Sequence, residues 1–179
     1  YYNNRGKAMC LAVIGKQGAA QGVRIAAAHI DSPRVDLKPI PLYESSELCL
    51  LKTHYYGGIK KYQWAAIPLS LHGKIVRKDG TELTVNIGES AGDPQFCITD
   101  ILPHLGKDQS VKKLGEAFTG EDLNVLVGSL PLDVEGEQLY KLNIMKLLNE
   151  QYGIVESDLI SAELELVPAF KAADIGFDR

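Results

Sequence analysis

The 179-residue sequence has no apolar run long enough to cross a membrane as a helix, so a helical span is excluded. It also lacks a basic surplus: 19 Lys and Arg stand against 23 Asp and Glu, a formal net charge of -4. That balance leaves no electrostatic footprint for nucleic acid or for an anionic membrane surface. The basic pairs Lys60-Lys61 and Lys112-Lys113 read as solvated surface. There are only three cysteines, Cys10, Cys49 and Cys97, widely spaced within apolar stretches. They fit buried free thiols of a reducing compartment better than a disulfide framework, and a cytoplasmic location is expected. No Gly-x-Ser-x-Gly elbow, Cys-x-x-Cys pair or phosphate-binding loop occurs. Gly57-Gly58 is too short a glycine signal for a nucleotide and marks a bulge or a close backbone approach.

What is present is a soluble globular composition, 45% hydrophobic and 23% charged, sufficient for one domain or two small ones. The chain opens at Tyr1-Tyr2-Asn3-Asn4-Arg5 without an initiator methionine and runs directly into an apolar strand pattern. From this a preceding segment is expected, and a following one from the polar turn at 172–179. Residues 7–16 and 22–29 are expected to pair as a hairpin across the turn-forming segment 17–21. Further strands are expected at 34–41, 48–54, 65–76, 82–87, 123–130 and 162–167, with a tight turn at 78–81. Helices are expected at 100–105, after Thr99 as N-cap, and at 143–152, stopped by Gly153. The polar segment 107–121 is the best candidate for a mobile loop.

One stretch carries chemistry. Ala26-Ala27-Ala28-His29-Ile30-Asp31-Ser32-Pro33 runs small apolar residues into a His-x-Asp triplet and a proline stop. A metal-ligating histidine at the end of a buried strand has this form, and Asp31 points to the same side, where it can accept the second ring N–H. The alternatives are a core histidine for His29 and a turn cap for Asp31. Glu163 and Glu165 alternate with Leu164 and Leu166 as the wet face of a strand. His72, before Gly73, reads as surface.

The segment from Ala28 through His29, Asp31, Ser32, Pro33 and Arg34 to Lys38 and Pro39 resembles the aspartyl-aminopeptidase-type zinc aminopeptidases. So do Tyr56-Gly57-Gly58 and the 163–169 segment Glu-Leu-Glu-Leu-Val-Pro-Ala. The resemblance runs through essentially the whole chain in order. It implies a two-zinc exopeptidase that removes N-terminal residues from peptides, with His29 as one zinc ligand and Asp31 supporting it. It implies an α/β architecture: part of a mixed-sheet zinc-exopeptidase catalytic domain carrying an inserted β-rich dimerisation domain. The corresponding partition is catalytic strands at 1–37, the insert at 38–161 and a return to the catalytic domain at 162–179. Family members are dimers or assemblies of dimers, and a histidine of the insert reaches the neighbouring subunit's active site. His104 is the best match and His54 a weaker one, against the plainer reading of His104 as a surface histidine near a helix end. The remaining ligands and the general base lie downstream in the family, so this chain alone is expected to be inactive. Arg34 and Lys38 could meet an acidic substrate side chain, although an ion pair with Asp36 or another acid is the plainer role. A self-associating β-rich module and a small-molecule-binding β-barrel are the readings from other classes.

Overall fold

The computed structural model describes residues 1–178; Arg179, the last residue of the expected 162–179 segment, lies outside the described residues. The chain divides into two compact units, Tyr1–Ser32 and the part from Pro33 onward.

In the first unit the expected hairpin of 7–16 with 22–29 does not form. Its regular structure is instead a short antiparallel pair, β1 (Tyr2–Asn4) with β2 (Ala8–Cys10), in the register Tyr2↔Cys10 to Asn4↔Ala8, and a single 3-10 turn at Ala19–Gln21. The physical reason is exposure. Leu11, Val13, Ile14, Val23 and Ile25 are 71–97% exposed, and an apolar strand without a neighbour gains neither ladder bonds nor burial. Cys10 is exposed, contrary to the expected buried thiol, whereas Cys49 is buried and Cys97 half-buried, all three free.

The second unit is built on β3 (Arg34–Ser45), β4 (Leu48–Tyr56), β5 (Leu69–Val76), β6 (Glu82–Ile87), β7 (Cys97–Ile98), α1 (Lys107–Ser110), β8 (Val125–Gly128), α2 (Leu139–Tyr152) and β9 (Ala162–Pro168). Seven strands form one sheet in the order β6-β5-β9-β3-β4-β8-β7, and each neighbouring pair is antiparallel. Backbone bonds between Leu69 and Phe96, at 2.7 and 3.0 Å, and from Ala66 to Ile98 O at 2.8 Å, curl the β7 end back toward the start of β5. Val35, Leu69, Ile75, Ile98, Leu123, Val125 and Leu166 are completely buried on the inner face. Alternation supplies them: Leu164 and Leu166 point inward while Glu163 and Glu165 point out, as the sequence pattern requires.

Sequence chemistry explains the irregularities. β3 carries Pro39 and Pro41, which have no N–H to donate, and its register against β4 shifts between Leu37 and Leu42. Ser46 and Glu47, both at positive φ, close the β3–β4 hairpin as a two-residue turn without the usual Asn or Gly. Gly73 has φ +137°, and a Cβ there would stand 2.0 Å from the Glu163 carbonyl oxygen of β9. The expected turn at 78–81 forms, with Gly80 at φ +83° and Arg77 N bonded to Thr81 O.

α2 begins four residues earlier than expected. Its first N–H groups are satisfied from another strand: the Glu44 carboxylate accepts from Tyr140 N at 2.9 Å and Lys141 N at 3.2 Å. Gly153 ends it in the left-handed conformation, with Ile154 N bonded to Leu148 O, and Arg77 Nη2 donates to the carbonyls of Tyr152 and Gly153. The expected helix at 100–105 is a turn. Pro103 has no N–H, and Ile101, Leu102 and Leu105 are all exposed, so no burial offsets the cost of nucleating so short a helix. The 107–121 segment contains α1 and the buried Phe118, and Asp122 just beyond it accepts from both Thr119 N and Thr119 Oγ1 at 2.7 Å.

Candidate functional site

His29 and Asp31 lie in the irregular end of the first unit. The His29 Nε2 and Asp31 Oδ1 atoms are in direct contact, and the side chains are 81% and 44% exposed. With Nε2 held by the carboxylate, Nδ1 is the imidazole nitrogen free to take a metal, and the carboxylate sets the ring's orientation. Zinc in a peptidase site needs at least three protein ligands of the imidazole and carboxylate type. His29 supplies one with its orienting partner, and among the described residues no three His, Cys, Asp or Glu side chains gather to hold a metal. The donor set fits one corner of such a centre and does not close it, so no metal-dependent step follows from this chain's residues alone.

His104 is exposed in the turn after Pro103, flanked by exposed Leu102 and Leu105. His54, on β4, has its Nδ1 2.8 Å from the Tyr55 carbonyl and borders a shallow cavity with Thr53, Tyr55, Gly120 and Glu121. His72 is half-buried rather than surface: its Nε2 lies 3.0 Å from Ser70 Oγ and 3.2 Å from Glu89 Oε1. Because both partners meet the same nitrogen, this is not the relay of a serine hydrolase, which needs serine on one ring nitrogen and the acid on the other.

β3 leaves the His-x-Asp segment through Arg34, and the outer face of the sheet there is densely paired. Arg34 Nε lies 2.7 Å from Asp36 Oδ1 and 3.2 Å from Glu165 Oε1, and its guanidinium carbon stands 4.0 Å from the Tyr56 ring centroid. Burial works against the Arg34 charge, but the two carboxylates outweigh it and its pKa rises. The plainer expectation for Arg34 is therefore the observed one. Lys38 is likewise engaged, with Glu121 at 2.8 Å. Strand register aligns Asn86, His72, Glu165, Asp36 and His54 as a polar row across β6, β5, β9, β3 and β4. The alternation in each strand signalled which residues face out; their alignment needed the register, which sequence spacing does not contain.

Residues 1–179 match the family described as aminopeptidase I zinc metalloprotease, M18. The probable M18 family aminopeptidase 1 of Clostridium acetobutylicum is 57% identical over 180 residues, covering 100% of this chain and 39% of that protein. The crystal structure of an M18 aminopeptidase from Thermotoga maritima matches with a TM-score of 0.81 at 51% identity, over 84% of this chain and 33% of that one. A more distant chain, from the S. cerevisiae mApe1 dodecamer, is 22% identical with a TM-score of 0.50, covering 83% of this chain and 32% of its own. This chain thus spans about two fifths of the curated relatives it matches. With few helices around an antiparallel sheet that follows a His-x-Asp segment, and with the family match running along its whole sequence, this chain belongs to the M18 family of aminopeptidase I zinc metalloproteases.

Proposed function

We propose that this chain is part of a zinc aminopeptidase that removes N-terminal residues from peptides, and that it contributes one corner of the catalytic centre. The observation that carries the reading is the contact of Asp31 with one ring nitrogen of His29, which presents the other to a metal. In the whole protein His29 is a ligand of one of two zinc ions. Zinc, when bound there, polarises the scissile carbonyl and lowers the pKa of a bound water. Asp31 keeps the imidazole in the ligating tautomer. The remaining ligands and the general base come from outside this chain, which alone does not hydrolyse peptides.

The expected partition into 1–37, 38–161 and 162–179 is proposed with its inner boundaries moved outward. Arg34–Ser45 and Ala162–Pro168 are inner strands of one sheet, so the insert reads best from Arg34 to Pro168. The exposed apolar residues Leu11, Val13, Ile14, Val23 and Ile25 read as strands that pair within the catalytic domain of the whole protein. The insert makes the dimer contact, and His104, exposed among Ile101, Leu102 and Leu105, enters the neighbouring subunit's site and donates to the developing oxyanion. Arg34 and Lys38 are already committed to carboxylates, so an acidic substrate side chain is met by residues beyond this chain. Its partners are thus a peptide and further copies of itself. No helix among the described residues is long and apolar enough to cross a membrane, and the free thiols suit the cytoplasm.

The test is zinc content and hydrolysis of aminoacyl anilides by the full-length protein and its His29→Ala variant. Loss of bound zinc together with an activity drop of about a hundredfold or more is expected. Full zinc occupancy with unchanged hydrolysis would remove His29 from the centre.

A further inference from the structure

The sheet of the second unit is two half-sheets joined thinly. β6-β5-β9 form one half and β3-β4-β8-β7 the other. β9 meets β3 through only two residue pairs, Val35↔Leu166 and Asp36↔Glu165, whereas β9 meets β5 through seven. On the far side the halves touch through the Leu69–Phe96 and Ala65–Ile98 bridges. α2 spans both halves. Its N-terminal end is held by Glu44 of β3, and its C-terminal carbonyls by Arg77, directly after β5. Near the N-terminal half it lies tight on β8, where a Cβ on Gly128 would stand 2.5 Å from Ile144 Cδ1. Further along the helix stands off, leaving a cavity of 320 Å³.

Both halves and the helix line that cavity: Leu71 and Leu164 from one, Leu37 and Val127 from the other, Ile144 and Leu148 from α2. No charged side chain contributes, and Gln151 is the one amide among the lining residues. An unfilled apolar cavity forfeits dispersion contacts along its walls. Here the two end clamps oppose its collapse, because lowering the helix onto the sheet would break the bonds to Glu44 or to Arg77. The volume is about twice that of an apolar cavity of ~150 Å³ that stays dry and takes benzene, and falls within the range of small-molecule pockets.

We propose that the cavity beneath α2 is a binding site for a small, uncharged, apolar molecule of about a dozen non-hydrogen atoms. A charged group would have no partner inside and would be expelled. Gln151 is exposed and can bond a hydroxyl or carbonyl at one end of such a molecule. Because the occupant touches both half-sheets and the helix that bridges them, it adds contacts across the two thin seams and stiffens the sheet.

Calorimetric titration of the full-length protein with 1-octanol and with benzene, alongside thermal unfolding, tests this without any reading of hydrolysis. Saturable binding at one site per chain is expected, with a thermal midpoint raised by several degrees at saturation. Leu147→Trp, filling the cavity from the helix, and Val127→Phe, filling it from the sheet, should each keep the far-ultraviolet circular dichroism and lose the binding. Two results overturn the proposal: no saturable uptake of either probe, as when a neighbouring subunit's side chain already fills the space, or undiminished uptake by a folded filling variant.

Discussion

Gly73→Ala should damage the fold far more than the same exchange at Gly80, although both glycines have positive φ. At Gly80 (φ +83°) the space around an added Cβ is open, so the cost is the left-handed strain alone, about 1 kcal/mol. At Gly73 (φ +137°) the same strain is joined by a Cβ 2.0 Å from the Glu163 carbonyl oxygen and 3.0 Å from Leu164 Cα, both backbone. No rotamer relieves a backbone clash, so β5 and β9 must separate by about 1.5 Å to reach ordinary van der Waals contact. The Gly73↔Leu164 pair lies inside the β5–β9 ladder, between His72↔Glu165 and Lys74↔Glu163. Parting there weakens two or more ladder bonds, each worth about 1 kcal/mol, and loosens Leu71, Ile75, Leu164 and Leu166. A loss of at least about 3 kcal/mol follows for Gly73→Ala. Trp64 is the single tryptophan of the sequence and is 9% exposed, which makes its fluorescence the natural reporter of urea unfolding. If the two variants fell within about 0.5 kcal/mol of each other, the close approach of β5 to β9 would be refuted.

Removing the Glu44 carboxylate as Glu44→Ala leaves the Tyr140 and Lys141 N–H groups without their acceptor and should cost about 1 kcal/mol, read by the same urea titration; an unchanged midpoint would show that α2 is not capped from β3. Thiol reactivity should divide the cysteines: burial pushes the Cys49 pKa up to about 11, so in the native protein a disulfide reagent near pH 8 should modify exposed Cys10 and spare Cys49, and rapid labelling of Cys49 would contradict the packing. Asp93, which accepts from Gly88 N and Ser90 N, and Asp122, which accepts from Thr119 N and Oγ1, both have folded pKa values below the usual carboxylate range. A depressed folded pKa stabilises above the unfolded value of about 4, and that contribution is lost as pH falls through the folded value. Urea midpoints should therefore drop on acidification below about pH 4, and less steeply for a combined Asp93→Asn and Asp122→Asn variant, with equal slopes telling against these bonds.

The longer strands whose partners lie within the chain were legible from its sequence. Glu82–Ile87 alternates, is preceded at hairpin distance by its register partner Leu69–Val76, and forms with the expected bounds. Residues 11–14 and 22–29 have the composition of strands but no neighbour to pair with among the described residues, so composition alone overstated them. The Ser46-Glu47 turn was invisible because neither residue is a usual left-handed one, and β7 because two residues carry no period. In the candidate site the His29–Asp31 contact was readable, being a local i, i+2 relation. The Arg34 bridge to Glu165 spans 131 positions and exists only because β3 and β9 are adjacent, as does the His72–Glu165–Asp36–His54 row.

Subunit complementation in the full-length protein tests the central claim most directly. On the proposed reading, His29→Ala removes a metal ligand from a subunit's own centre, and His104→Ala removes the group it lends to its neighbour. Each variant alone should be nearly inactive. Unfolded together and reassembled, a random mixture puts half the dimers in mixed form, each with one complete centre, so about a quarter of the wild-type activity should return. A mixture that stays as inactive as its components, although mixed dimers form, would contradict a centre shared between subunits.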